Sequence, residues 1–158
     1  MQEDFAARKY AVPTADASVR GATARPIVIG IVNNMPDAAL ESVESQFSEL
    51  LEAASGPRST LLRFSSLPEV PRGPAASQHV SSNYWHISDL MGSALDALIV
   101  TGTEPRSASL RDEPYWQSLV ELLEWAEENA VSSIWSCLAA HAVVLHLDGI
   151  QRRRRPHK

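Results

Sequence analysis

The sequence is poor in several features that would each indicate a particular class of protein. It contains a single cysteine among 158 residues, which excludes an internal disulfide and fits a reducing compartment. No apolar run approaches the length of a membrane-spanning helix, and the N-terminus has no apolar signal-peptide core. The net charge of −5 gives no reason to expect nucleic acid or an anionic membrane as a partner. We therefore expect a cytoplasmic protein without a nucleic-acid or membrane partner.

The pattern of apolar residues divides the chain into one domain and two flanking segments. Residues 1–25 show no hydrophobic period and are predicted to form a mobile N-terminal arm. Residues 26–150 alternate between strand-favouring and helix-favouring stretches, as expected of a single α/β domain. Residues 151–158 form a short basic tail that contains four arginines.

Within the domain, short apolar strands alternate with amphipathic helices. This order indicates βαβ units and a three-layer, mostly parallel sheet of the flavodoxin-like type. The predicted strands are residues 27–32, 59–65, 95–100 and the start of 131–150. The predicted helices are residues 37–54, residues 84–91, one that starts at Asp112 and one after Cys137. Residues 66–82 are rich in proline, serine and glycine and are predicted to form a long loop.

Acidic residues mark two of the predicted helix starts. Asp37 and Asp112 are predicted N-caps, because a carboxylate there accepts hydrogen bonds from free backbone N–H groups. In the second helix, Glu113 and the glutamates after it are predicted to lie mostly on the solvated face.

The only cysteine, Cys137, lies where the pattern changes from strand to helix. The helix after it is predicted to end at Gly149, which can adopt a left-handed cap. A helix N-terminus has free N–H groups and a partial positive charge, and both favour a thiolate over a thiol. A nucleophile between a strand and a helix forms a nucleophile elbow, here predicted at residues 136–139. A buried cysteine of the core is the alternative, because free cysteine is often buried.

Three predicted loops should meet at one edge of the sheet, since ligands of parallel sheets bind beyond the carboxyl ends of the strands. They are residues 33–37, residues 101–105 and the turn at Cys137. The backbone N–H of Leu138 can donate to the oxyanion of an acyl-transfer intermediate. Gly102 and Thr103 can supply a second backbone donor, because glycine permits close approach. Alternatively, Thr101 to Thr103 form only a simple turn at the end of a strand.

Three segments of the sequence resemble the homoserine O-acyltransferase family, which comprises the homoserine O-succinyltransferases and O-acetyltransferases of methionine biosynthesis. They are Ile29 to Pro36, Leu98 to Thr103 with Asp112 to Trp116, and Ser136 to Ala142 with Gly149 and Ile150. Their order and spacing also fit, over about residues 26–158. The resemblance implies a class I glutamine-amidotransferase-like fold. It covers only the N-terminal part of the family, so we expect the fold to be incomplete at its C-terminus.

The resemblance also implies a reaction and its partners. Cys137 would be the catalytic nucleophile and would carry an acyl group from acyl-CoA to the hydroxyl of L-homoserine. Acyl-CoA is then a co-substrate, and no bound cofactor is expected. A homodimer is compatible with the resemblance. Positions that correspond to substrate-binding segments of the family are Asn33, Met35, Pro36, Glu104 and Arg106. These residues leave the choice between succinyl and acetyl donors open, and Ala38 replaces a lysine that some members carry.

The matched segments do not identify a general base, because the family's histidine and glutamate lie beyond them. Of five histidines, His141 is four residues after Cys137 and is the candidate base, although an elbow thiol should point away from the helix. His79 and His86 are predicted surface residues, and His146 is predicted to be partly buried. No metal-ligand spacing is present, so no metal site is predicted. We therefore expect this chain alone to be inactive; a glutamine-amidotransferase-like thiol hydrolase and a non-catalytic fragment or binding module are the alternatives.

Overall fold

The computed structural model of the protein describes residues 25–129 and 132–153. The predicted N-terminal arm, except Arg25, and residues 154–158 of the predicted basic tail lie outside these residues. No helix in the described ranges is both long and apolar enough to cross a membrane.

Four parallel strands form one sheet in the described part of the chain, in the order β2-β1-β3-β4. The strands are β1 Ile27–Val32, β2 Thr60–Ser65, β3 Ala97–Val100 and β4 Ser132–Trp135. The predicted α/β class and parallel sheet are therefore confirmed. Strand β1 occupies an inner position because its run of β-branched residues can be buried on both faces of the sheet.

Helices cover both faces of the sheet and give the three layers. They are α1 Leu40–Ser55, α2 Pro74–Asn83, α3 Ile87–Met91, α4 Trp116–Asn129 and α5 Leu138–Asp148. On one face Ile29, Ile31 and Phe64 pack against α1 through Phe47 and Leu51. On the other face, apolar residues of β1 and β3 form one core with α4 and α5; examples are Val32, Leu98, Leu122 and Leu145. Successive residues of a strand point to opposite faces, so one apolar run serves both cores.

The segment between β2 and β3 is more regular than the sequence predicted. Helix α2 lies inside the predicted loop of residues 66–82, and Pro74 stands in its first turn, where a missing N–H costs nothing. The helix predicted at 84–91 covers only Ile87–Met91, with His86 as its N-cap. Trp85 is instead extended, and its N–H donates to the carbonyl of Phe64 in β2.

The two predicted aspartate N-caps are wrong. Asp37 lies inside a short 3-10 turn, Asp37–Ala39, and its carboxylate accepts the N–H of Gly73 at 2.7 Å. Asp112 ends another 3-10 turn, Leu110–Asp112, and α4 begins only at Trp116. In both places a tertiary contact or a tight turn replaces the local cap.

Strand β4 pairs only with β3 among the described residues and lies at one edge of the sheet. Its Ile134 is 59% exposed. Nearby in sequence, Val144 and Leu147 of α5 and Ile150 are also exposed. Helix α5 ends at Gly149 with φ of 70°, so the predicted left-handed cap is confirmed.

Candidate active site

Cys137 lies in a sharp turn between β4 and α5. It is the N-cap of α5, with φ of 57° and ψ of −124°, and the only residue other than glycine with positive φ among the described residues. Such a backbone conformation typically costs about 1–3 kcal/mol for a residue with a side chain, and it recurs at functional sites. The Cys137 residue is exposed. The predicted strand-to-helix turn is thus present, and the alternative of a buried core cysteine is wrong.

Backbone bonds on both sides hold this turn. The N–H of Ser136 donates to the carbonyl of Val100 at 2.9 Å and so extends the pairing of β3 with β4. The N–H of Ala139 donates to the carbonyl of Ser136 at 3.1 Å and closes the turn. Leu138 follows as the first residue of α5, where a backbone N–H has no acceptor within the helix.

The loop that follows β3, residues 101–107 (the β3 loop), lies directly against the start of α5. A Cβ on Gly102 would be 2.5 Å from the Leu138 nitrogen and 2.8 Å from the Ala139 nitrogen. Only glycine therefore permits this approach. The backbones of Gly102 and Leu138 lie side by side, as two donors to one oxyanion would require. Their catalytic role, like that of Thr103, stays a prediction.

Asn34 is a buried residue of this site that the sequence analysis did not identify. Its backbone N–H donates to Thr101 Oγ1 at 2.8 Å, and its Nδ2 donates to the Thr101 carbonyl at 3.2 Å. Its Oδ1 accepts the N–H of Leu67 at 3.0 Å. Asn34 thus joins the ends of β1 and β3 to the segment after β2. Two adjacent asparagines at a strand end were the only signal for it in the sequence.

An arginine whose side chain is only 6% exposed, Arg72, fixes the loop after β1. The Arg72 guanidinium donates to the carbonyls of Asn33 and Met35, both at 3.0 Å, and to Ser66 Oγ at 2.9 Å. It also pairs with Asp37 at 3.4 Å. Burial lowers the pKa of Arg72, against the favourable charge of its partners. The loop of residues 33–37 is therefore a rigid part of the site.

The three predicted loops do meet, around one small, mostly apolar cavity. Asn34 and Thr101 to Thr103 line it together with residues before and within α4 and within α5. The residues of this second group are Leu110, Tyr115, Trp116, Leu119, Leu138, Ala139 and Ala142.

The proposed substrate residues are absent from that lining. Met35 and Pro36 are half-buried, and Glu104 and Arg106 are exposed. The Asn33 amide donates to the Leu40 carbonyl and to the Tyr84 hydroxyl, and its oxygen accepts the Met35 N–H. Substrate binding by these residues stays a prediction.

The histidines are placed differently from one another. His141 is exposed on α5, and the described residues include no hydrogen bond between its ring and Cys137. His79 was predicted at the surface, but its side chain is only 16% exposed and its Nε2 lies 2.7 Å from Glu44 Oε1. His86 is exposed, and His146 is half-buried. None of these contacts identifies the general base.

Glu113 was predicted to face solvent, and this is wrong. It is 4% exposed, and its Oε1 accepts the N–H groups of Arg106 and Ser107, both at 2.7 Å. Tyr115, which lines the cavity, is also 4% exposed, and burial together with the charge of Glu113 raises the pKa of its hydroxyl. The helical pattern could not reveal this, because Glu113 precedes α4 and turns inward.

Comparison with known proteins supports the resemblance seen in the sequence. The model of the homoserine O-succinyltransferase family matches residues 5–158. A homoserine O-succinyltransferase of Rhodopseudomonas palustris is 57% identical over 88% of this chain and 42% of its own length. Those of Bradyrhizobium japonicum and Methylorubrum extorquens are 50% and 48% identical over 81% and 85% of this chain, and over 40% and 39% of their own lengths.

The chain therefore spans about two fifths of the length of these curated relatives. The match runs through the strand ends, the β3 loop and the turn at Cys137 that form the site. This confirms the family indicated by the three sequence segments, and the chain belongs to the homoserine O-succinyltransferase family.

Proposed function

We propose that this chain carries the acyl-accepting cysteine of a homoserine O-acyltransferase, with succinyl-CoA as donor and L-homoserine as acceptor. Membership of the family supports the acyltransferase activity. The names of the most similar relatives support succinyl over acetyl, because each of those compared is called a homoserine O-succinyltransferase.

The observation that carries the proposal is the strained turn at Cys137 beside the contact of Gly102 with Leu138. In the first half-reaction, the Cys137 thiolate attacks the thioester carbonyl and a new C–S bond forms. The N–H of Leu138 and a donor of the β3 loop stabilise the oxyanion, and each such donor is typically worth about 10²- to 10³-fold in rate. Collapse of the intermediate breaks the original C–S bond and releases coenzyme A as a thiolate. The acyl group is left on Cys137.

The second half-reaction needs a general base, and no hydrogen bond among the described residues identifies one. The hydroxyl of homoserine must lose its proton as it attacks the acyl-cysteine, and a general base typically contributes about 10²- to 10⁴-fold. His141 is the nearest candidate in sequence and has no hydrogen bond to Cys137. We therefore expect slow acylation without efficient transfer to homoserine.

Coenzyme A release tests this proposal. The native chain and Cys137→Ala are incubated with succinyl-CoA or acetyl-CoA, with and without homoserine. We expect the native chain to release coenzyme A slowly until the amount approaches one equivalent, faster with succinyl-CoA, and we expect no such release from Cys137→Ala. Equal release by both proteins would refute acylation of Cys137. A separate incubation of the native chain with glutamine tests the alternative. Ammonia production there, with no coenzyme A release from either acyl-CoA, would instead indicate a thiol hydrolase.

A further inference from the structure

We propose that Glu113 is a positioning residue for acyl transfer. Its buried carboxylate fixes the β3 loop, so that the backbone N–H donor of this loop lies beside the N–H of Leu138. The inference rests on the proposed function, because it concerns the oxyanion donors of that reaction. Glu113 does not reach the reacting atoms in this account; it acts through the loop.

The contacts of Glu113 fix one end of the loop. A single carboxylate oxygen accepts two successive backbone N–H groups, those of Arg106 and Ser107, at 2.7 Å each. Hydrogen bonds from amides to a charged oxygen are short and stronger than those between neutral groups. The residue is 4% exposed, so water competes little for them.

The other end of the loop is fixed separately. The Thr101 N–H donates to the Val32 carbonyl at 3.0 Å, and Asn34 bonds both the hydroxyl and the carbonyl of Thr101. Residues 102–105 therefore span two fixed points. Because Gly102 lies against Leu138 and Ala139, a shift of the loop changes the distance between the two oxyanion donors.

The chemical identity of Glu113 also favours this role. Within the described residues, its Oε2 and the Tyr115 hydroxyl are both buried without a hydrogen-bonding partner. Burial of a charged carboxylate is unfavourable unless its hydrogen bonds compensate. For packing alone an apolar side chain would serve as well, so the two bonds to the β3 loop account for a carboxylate here.

Two reactions of the same thiol separate positioning of the oxyanion donors from thiol reactivity. Acylation by succinyl-CoA passes through an oxyanion, whereas alkylation by iodoacetamide does not. Both rates are measured for the native chain, Glu113→Ala, Glu113→Gln and Asp112→Ala. Asp112 is the matched control, because it is the neighbouring acidic residue and is exposed.

We expect Glu113→Ala to slow acylation about 10- to 100-fold, the loss typical of a catalytic donor displaced by about 1 Å, with alkylation changed less than about twofold. Glu113→Gln keeps an acceptor oxygen and should recover part of the rate, and Asp112→Ala should match the native chain. Parallel losses of acylation and alkylation in Glu113→Ala, or no loss of acylation, would overturn the proposal.

Amide hydrogen exchange keeps this test independent of the proposed function. Glu113→Ala should speed exchange at Arg106 and Ser107 while amides of β1 remain protected. If the native chain is not acylated, the proposed function fails and exchange alone decides on Glu113. Unchanged exchange at the two loop amides would then refute the fixing of the β3 loop by Glu113. Faster exchange confined to them would support that fixing, while the role in acyl transfer would fall with the proposed function.

Discussion

Replacement of Gly102 by alanine probes the contact on which the proposed oxyanion site depends. The new Cβ would lie 2.5 Å from the Leu138 nitrogen and 2.6 Å from the Leu138 Cβ, and ordinary contact begins at 3.4 Å. The β3 loop and α5 must therefore separate by about 0.9 Å, and the backbone atoms involved cannot rotate away. Overpacking of this kind typically costs about 1–3 kcal/mol of stability. Misplacement of catalytic groups by about 1 Å can cost about 10²-fold in rate.

We expect Gly102→Ala to fold with a stability reduced by about 1–3 kcal/mol and to be acylated about 10²-fold more slowly by succinyl-CoA. Urea unfolding measures the first quantity, and intact-protein mass spectrometry over time measures the second. Gly92→Ala is the matched control, because its Cβ would meet the carbonyl oxygens of Ser88 at 3.3 Å and Asp89 at 3.7 Å, away from the site. Acylation of Gly102→Ala at the native rate would refute the argument that this contact sets the donor geometry.

Three further predictions follow from other parts of the structure. Cys137→Gly should be more stable to urea than Cys137→Ala by about 1 kcal/mol, since glycine adopts φ of 57° without strain; the reverse order would contradict the strained turn. Hydrogen bonds from Arg25 and from the Val28 N–H hold the pKa of Asp96 below its ordinary value. The ionised Asp96 carboxylate therefore stabilises the fold above pH about 4, and this stabilisation is lost as the pH falls through the lower folded-state pKa of Asp96. The melting temperatures of the native chain and Asp96→Asn should therefore converge as the pH falls below about 4, and a constant difference would argue against this ion pair. Homoserine should not raise coenzyme A release by the chain alone; homoserine-dependent turnover that His141→Ala abolishes would make His141 the base.

The fold was predictable where the burial of an element produces a local pattern of residue types in the sequence. Strand β1 is a continuous β-branched run because it is buried on both faces, and the change of pattern at Cys137 marks a real change of backbone direction. Helix α2 was missed because a stretch rich in proline, serine and glycine favours loops locally. Its first residue, Pro74, is compatible with a helix because it lies in the first turn.

The site was predictable in its backbone and not in its buried polar side chains. Loops at the carboxyl ends of parallel strands must meet, so Gly102 and Leu138 could be paired from the sequence. Glu113 could not be identified, because its burial depends on two amides of a loop six and seven residues earlier in the chain. The Asn34 side chain depends on a backbone carbonyl 67 residues away, and no local pattern encodes such a contact.

Peptide mapping after incubation with succinyl-CoA tests the central claim most directly. We expect one succinyl group on the peptide that contains Cys137, removed by hydroxylamine as a thioester, and no such group in Cys137→Ala. Succinylation confined to lysine residues, at the same rate in both proteins, would contradict the claim that Cys137 is the acyl-accepting residue.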